Sequence, residues 1–290
     1  MDHRPVLLEE ALKLLAVRAE GRYVDGTLGA GGHAAEILRR SAPEGRLLAV
    51  DRDAESLERT RASLAPFGDR VRFAHADFRE VPVLLGDTKV DGILLDLGLS
   101  SRQLDDPERG FSFQADGPLD MRLDRSQPTS AFEVVNRASE RELADLIYRF
   151  GEEPASRRIA RAIVEARRRR PLQTTGELAE IVRRAAPRSR RPGLHPATRT
   201  FQALRIHVNR ELEGLAEALE SLAACLAPAG RLVVIAFHSL EDRIVKQTFR
   251  GLAARGYELL TKKPVRPTER EIAGNPRARS ARLRALAGTP

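Results

Sequence analysis

The stretch Tyr23-Val-Asp-Gly-Thr-Leu-Gly-Ala-Gly-Gly-His33 decides the fold. A short apolar run enters it, and a helix-forming run, Ala34 to Arg40, leaves it. Between them stand Gly26, Gly29, Gly31 and Gly32. Glycine takes positive φ at no steric cost and lets a backbone approach a ligand with no Cβ in the way. The first amides of a helix lack intrahelical acceptors and carry the positive end of its dipole. The stretch therefore reads as strand, glycine turn and helix start, a cofactor site of the nucleotide-binding type.

Gly29, Gly31 and Ala34 match G-x-G-x-x-A, a dinucleotide fingerprint. Asp51 closes the next apolar run, Leu47-Leu-Ala-Val-Asp51. A carboxylate there suits the ribose hydroxyls of NAD or of S-adenosylmethionine. Asp25, at the end of the first strand, tips the choice: it is placed to meet an ammonium group, which S-adenosylmethionine has and NAD lacks. An NAD-dependent oxidoreductase is the alternative enzyme class.

Downstream the pattern repeats. Ala54 to Leu64 reads as a helix, Val71-Arg-Phe-Ala-His-Ala-Asp-Phe78 as a third strand and Val90-Asp-Gly-Ile-Leu-Leu-Asp96 as a fourth. Strands alternating with helices predict an α/β fold with a parallel, Rossmann-like sheet and ligands at the carboxyl ends of its strands. Asp25, Asp51, Asp77 and Asp96 all fall at such ends. After Asp96 the periodicity stops, and Leu104 to Arg125 is an irregular loop of a length that is usually functional or disordered. Phe111 and Phe113 argue against disorder. They either pin the loop to a core or stack on a base. Ser130, Ser139 and Thr174 each precede a glutamate by three residues, the signature of a capping box. Pro171 and Pro187 end the runs before them. No strand pattern interrupts Ser130 to Arg191, so residues 101–198 read as a helical substrate-recognition domain inserted between a first part, 1–100, and a second part, 199–290.

In that second part Phe201, Leu204, Val208, Leu212, Leu215, Leu219 and Leu222 form one apolar stripe, which predicts a single long helix. Leu232 to Phe237 is a buried strand that runs into His238, either a structural or a catalytic histidine. Gly256 to Lys262 is a candidate last strand, and Asn275 to Arg284 reads as a basic, polar tail.

Composition adds charge and context. Formal charge is +8 over 290 residues, but residues 151–210 carry +10 and residues 261–290 carry +6, leaving −8 for the remainder. Two basic segments on an acidic body predict contact with a phosphate backbone. Cys225 is the single cysteine, which excludes an intrachain disulfide. No apolar run approaches the ~20 residues of a membrane span, the start lacks a signal-peptide pattern, and no His/Cys cluster has zinc spacing. These features predict a cytoplasmic protein with no membrane partner and no metal.

The chain resembles the bacterial 16S ribosomal RNA (cytosine-N4)-methyltransferase family, RsmH, also called MraW. The resemblance runs from His3-Arg-Pro-Val-Leu-Leu8 to the tail. It rests on Val24-Asp-Gly-Thr-Leu-Gly-Ala-Gly-Gly-His33, Leu94-Leu-Asp-Leu-Gly-Leu-Ser-Ser101, Gln103-Leu-Asp-Asp-Pro-Glu-Arg-Gly-Phe-Ser-Phe113 and Gly117-Pro-Leu-Asp-Met-Arg122. His195-Pro-Ala-Thr-Arg-Thr-Phe-Gln-Ala-Leu-Arg205, Phe237-His-Ser-Leu-Glu-Asp-Arg-Ile-Val245 and Asn275-Pro-Arg-Ala-Arg-Ser280 complete it. Ala236 stands where the family pattern has Ser. The resemblance implies a class I methyltransferase that uses S-adenosylmethionine to methylate the exocyclic amine of a decoding-centre cytidine, with 16S ribosomal RNA in the 30S subunit as partner. The family's cofactor positions map to Gly31, Gly32, His33, Asp51, Phe78, Asp96 and Gln103, beside Asp25 and Asp77 from the strand ends.

Methylating such an amine needs a proton acceptor that helps its delocalised lone pair localise. After the fourth strand stands Asp96-Leu-Gly-Leu-Ser-Ser101, without the prolines and aromatic of many amino-methyltransferases. The acceptor is therefore Asp96, a backbone carbonyl, or the hydroxyl of Ser100 or Ser101. The aromatic would come from Phe111 or Phe113, in a loop expected to clamp a flipped cytosine. A non-catalytic RNA-binding assembly factor is the remaining alternative.

Overall fold

A computed structural model of the chain describes residues 5–186 and 195–289. His3, Arg4, Pro187 and Arg191, quoted from the sequence, lie outside the described residues. The chain divides into two compact units, Met1–Gly98 with Gly214–Pro290, and Leu99–Glu213. Among the described residues no helix is long and apolar enough to cross a membrane.

The first unit opens with α1 (Leu8–Leu15), β1 (Arg22–Asp25), α2 (Gly32–Arg40), β2 (Arg46–Asp51), α3 (Ala54–Leu64), β3 (Val71–His75), α4 (Val81–Leu85) and β4 (Val90–Asp96). β3 is shorter than expected. Asp77 leaves the strand because its carboxylate accepts from the Arg79 amide and caps a 3₁₀ turn, Phe78–Glu80.

The second unit is built of helices: α5 (Ser101–Asp105), α6 (Ala131–Arg137), α7 (Glu140–Gly151), α8 (Ser156–Arg167), α9 (Thr175–Ala185) and α10 (Thr198–Val208). α6, α7 and α9 start at the expected capping boxes. α7 packs against α8 and α10, and α8 against α9, and the apolar faces of these helices close a core around Leu143, Ile147, Ile163, Leu178 and Leu204. The irregular loop is ordered by polar ties. Arg109, 3% exposed, donates to the carbonyls of Arg122 and Leu123, while Asn209 donates to the Met121 carbonyl.

The chain returns to the first unit with α11 (Leu215–Ala224), β5 (Leu226–Ala236), α12 (Ser239–Ala253), β6 (Glu258–Leu259), α13 (Glu269–Gly274) and β7 (Arg282–Ala287). The expected single long helix is two, α10 and α11, one in each unit. Asn209 leaves the helical conformation and Gly214, at φ +63°, starts α11. The second unit accordingly runs on to Glu213, past the expected boundary at 198.

The seven strands are ordered β3-β2-β1-β4-β5-β7-β6. β1 to β5 are parallel, and β7 enters antiparallel between β5 and β6. This corrects the reading of the C-terminal segment as a basic tail. Leu283, Ala285 and Leu286 are fully buried, and Arg284 is buried with its Nε 2.7 Å from Asp242 Oδ1. Two of the segment's arginines, Arg282 and Arg284, are neutralised internally by Asp242.

Candidate active site

The carboxyl ends of β1, β2 and β4 are tied together by side chains. The Thr27 amide, just past β1, donates to Asp25 Oδ1 (3.1 Å), and its hydroxyl accepts from the Asp96 amide at the end of β4 (2.6 Å). Asp51 spans the next gap: Oδ2 accepts from the Gly29 amide (2.7 Å) and Oδ1 from the Asp53 amide (2.8 Å). Asp51 thus holds the glycine turn in place, beyond the ribose role read from sequence.

Two glycines of that turn are required by packing as well as by conformation. Gly31 is the N-cap of α2 at φ +77°, and a Cβ there would meet Thr60 Cγ2 at 2.4 Å. A Cβ on Gly32 would meet Pro5 Cγ at 2.3 Å. The start of α2 is thereby pressed onto the segment before α1, where buried His33 brings Nε2 to 3.1 Å from the Val6 carbonyl oxygen. Its Nδ1 lies 3.7 Å from Asp96 Oδ2. Asp96 Oδ1 is buried with no hydrogen-bond partner.

The electrostatics are those of crowded acids. Burial, opposed by the Thr27 amide and reinforced by Asp51, pushes Asp25 from 3.8 up to about 7. Burial, against the Asp53 and Gly29 amides, pushes Asp51 up to about 6. Burial, then the Asp25 and Glu241 carboxylates, pushes Asp96 up to about 8, though a quarter of its side chain still reaches solvent and tempers that push. Among the described residues no lysine or arginine forms an ion pair with these three acids, and Arg52 acts on Asp51 only through space, as the smallest of its influences. Such a site attracts a cation and repels a pyrophosphate. The ammonium and sulfonium of S-adenosylmethionine fit it, and the phosphates of NAD do not.

A family model described as the MraW methylase family matches residues 1–288. The chain belongs to that family. The methylase is 51% identical over 304 residues to a protein of Symbiobacterium thermophilum named Ribosomal RNA small subunit methyltransferase H, covering 98% of this chain and 96% of that one. It is 53% identical over 298 residues to the protein of that name from Koribacter versatilis, covering 99% and 94%. A crystal structure titled as a putative rRNA-methylase from Clostridium thermocellum matches its fold with a TM-score of 0.50 at 12% identity, covering 99% of each chain. The methyl donor of the methylase is S-adenosylmethionine.

Three of the four strand-end acids, Asp25, Asp51 and Asp96, converge in the first unit. Asp77 is committed elsewhere: its carboxylate caps the turn and pairs with Arg79 and, at 3.6 Å, Arg52. Phe78 is buried under the Arg79 guanidinium, 4.6 Å from the ring centroid. Its Cβ lies 3.1 Å from where a Cβ on Gly26 would stand, so it packs beside the end of β1. His238 caps α12, with Nδ1 accepting from the Glu241 amide and Nε2 3.1 Å from Glu241 Oε1. Glu241 itself escaped the sequence reading. It is 3% exposed and acts on Asp96 through space; the His-x-x-Glu spacing was its one signal. In the second unit, Gln103 Oε1 accepts from the Ser100 amide and Ser100 Oγ from the Gln103 amide, a capping box that starts α5 at Ser101. Phe111 is 6% exposed in that unit's core, and Phe113 packs between His195 and Phe201, with ring centroids at 4.6 and 4.8 Å. Both placements serve the core-pinning role.

The raised carboxylates predict a pH dependence. A cationic ligand binds the ionised acids, so affinity for S-adenosylmethionine rises from about pH 5.5 to about pH 8.5. Stability of the ligand-free protein moves the other way. Each acid keeps its proton in the folded state above the pH at which the unfolded chain releases it. Its contribution is full below about pH 4 and is lost as pH rises through about 6 to 8. Thermal melts with and without S-adenosylmethionine across this range check both signs; a ligand-induced shift that is flat with pH removes the acids from the binding site.

Proposed function

We propose that this chain methylates the exocyclic N4 amine of a decoding-centre cytidine in 16S ribosomal RNA, acting on the small ribosomal subunit. Membership of a methylase family, relatives named for small-subunit ribosomal RNA, and the sequence resemblance all support this reading. The observation that carries it is the set of Asp25, Asp51 and Asp96 around the glycine turn, with Asp96 Oδ1 buried and unpartnered. When bound, S-adenosylmethionine supplies a sulfonium-activated methyl group, whose C–S bond breaks as the N–C bond forms. Asp25 and Asp51 would hold the cofactor's ammonium and ribose, and the Asp96 carboxylate accepts the proton the amine loses. Glycine turn and acids hold the reacting groups together, and such positioning supplies several kcal/mol of acceleration.

RNA contact is assigned to the second unit. Many of its arginines are already used: Arg167 donates to the Val135 and Ala138 carbonyls at the end of α6, Arg170 pairs with Glu177, Arg183 and Arg184 with Glu180, and Arg205 with Glu211. Arg157, Arg158, Arg168 and Arg169, on and just beyond α8, are exposed and make no ion pair among the described residues. They are the residues that meet phosphate. Replacing all four by Gln is expected to lower the slope of log affinity against log salt by roughly 0.7–0.9 for each phosphate no longer neutralised. Melting temperature and cofactor affinity should stay unchanged. An unaltered slope makes this face ordinary solvated surface.

The deciding assay is transfer of labelled methyl to 30S subunits that lack the modification, with mass spectrometric identification of N4-methylcytidine. Cofactor binding without transfer leaves an assembly factor, and calorimetric binding of NAD in place of S-adenosylhomocysteine leaves an oxidoreductase.

A further inference from the structure

His33 makes two contacts that a cofactor-binding role does not require. Nε2 is 3.1 Å from the Val6 carbonyl oxygen, and Nδ1 is 3.7 Å from Asp96 Oδ2. We propose that His33 is a positioning residue for Asp96: anchored on Val6, it holds Asp96 through Oδ2 and shares one proton with that carboxyl, and so sets whether Asp96 can take the proton of the substrate amine. This rests on the reading of Asp96 as proton acceptor.

The tautomer follows from the anchor. A carbonyl oxygen only accepts, so Nε2 carries a hydrogen, and in the neutral ring Nδ1 is a bare lone pair. One proton placed between Nδ1 and Oδ2 then has two positions. On Oδ2 it gives a carboxylic acid beside imidazole. On Nδ1 it gives a carboxylate beside imidazolium. Both are neutral overall, and only the second leaves the Asp96 carboxylate able to accept a proton.

The surroundings explain why a neutral pair is needed. Asp25 from β1 and Glu241 from α12 act on Asp96 as like charges, and Asp51 from β2 adds its charge to Asp25. Another isolated carboxylate in such a set is costly. His33 is the cationisable side chain within ion-pair distance of Asp96 among the described residues. A proton on its ring lets Asp96 ionise without adding net charge. The separation of 3.7 Å is longer than a direct hydrogen bond, as is common for catalytic contacts before substrate is bound.

The local sequence is suited to this task. His33 sits in the first turn of α2, 5% exposed. Gly31 supplies the left-handed N-cap, and Gly32 lets α2 close onto Pro5. A larger residue at position 32 would lift α2 from the segment that anchors Nε2. Gly31-Gly32-His33 thus aims the imidazole in addition to approaching a cofactor.

The test has two arms. Nitrogen and carbon NMR of the ligand-free protein reads the tautomer and titration of His33 in the native chain and in Asp96→Asn. The expected result is an Nε2–H tautomer and a His33 pKa that drops by about one pH unit or more when the carboxylate is removed. The second arm compares the pH profile of methyl transfer in the native chain and in His33→Asn, whose amide donates a hydrogen bond but cannot titrate. His33→Asn should cut kcat at least roughly tenfold and displace the acidic limb at saturating S-adenosylmethionine, where weaker cofactor binding is compensated. A His33 titration indifferent to Asp96→Asn overturns the pair, as does a His33→Asn enzyme with a native profile. The NMR arm needs no turnover, so it decides the pairing even where the native chain transfers no methyl group to 30S subunits, an outcome that would count against the proposed function instead. It also decides the pairing where His33→Asn fails to fold.

Discussion

Truncation after Gly274 is expected to yield a chain with no folded sheet. β7 pairs with β5 from Arg231↔Ala287 to Ala236↔Arg282 and is the strand that separates β5 from β6. Removing it exposes the whole inner edge of β5 and deletes the fully buried Leu283 and Leu286. Those two leucines are worth roughly 3–6 kcal/mol by burial. The missing ladder and the orphaned Asp242, which pairs with Arg282 and Arg284, add to that. Domains are stable by about 5–15 kcal/mol in total, so the deletion takes most or all of it. The expected observation is insoluble protein, or soluble protein with no cooperative melt and no S-adenosylhomocysteine binding. Substituting the exposed Arg277 and Arg279 by Gln is the control, and it should leave the melt intact. A truncated chain that still melts cooperatively and binds the cofactor product would show that β7 is dispensable and that the segment is an appendage after all.

The same strand shows where sequence reading stops. Arg277, Arg279, Arg282 and Arg284 give the segment a polar look, and nothing nearby in the chain announces that Arg284 is buried. Its partner Asp242 lies on α12, and such long-range neutralisation leaves no local signature. By contrast β1, β2 and β4 were legible because each is an apolar run closed by an acid, and in a parallel sheet that end faces the ligand. Asp25, Asp51 and Asp96 followed from this rule alone. Asp77 obeyed the rule in sequence and broke it in structure, because an Asp followed three residues later by Glu80 is also a capping box. The capping boxes of α6, α7 and α9 were readable because they are local. The break between α10 and α11 was not: both helices bury their apolar faces, so the stripe continues through Asn209 to Gly214 although the helix does not. The His33–Asp96 contact joins two motifs far apart in the chain, and periodicity carries no information about such a pair.

Asp96→Asn is expected to lower methyl transfer by roughly 10²–10⁴-fold, the usual range for losing a proton acceptor in the transition state. Asparagine keeps the shape of the side chain and can still accept a hydrogen bond, but it cannot take a proton. The backbone amide of residue 96 stays on the Thr27 hydroxyl, so the end of β4 is preserved. Folding should not suffer. Asp96 is held up at about 8 because its ionised form is poorly accommodated. A neutral side chain removes that penalty, which grows as pH rises from about 4, where the unfolded carboxyl ionises, to about 8, so melting temperature should match the native chain's near pH 4 and exceed it increasingly toward pH 8. Cofactor affinity should fall with the missing charge, most at high pH, where the native carboxylate is ionised. Single-turnover rates on 30S subunits at saturating S-adenosylmethionine separate the two effects, since weaker binding is then compensated and the absence of the acceptor is not. A variant that turns over within about tenfold of the native chain would move the proton to another acceptor, with the serine hydroxyls and the backbone carbonyls next in line, and would leave Asp96 as an electrostatic contact for the cofactor.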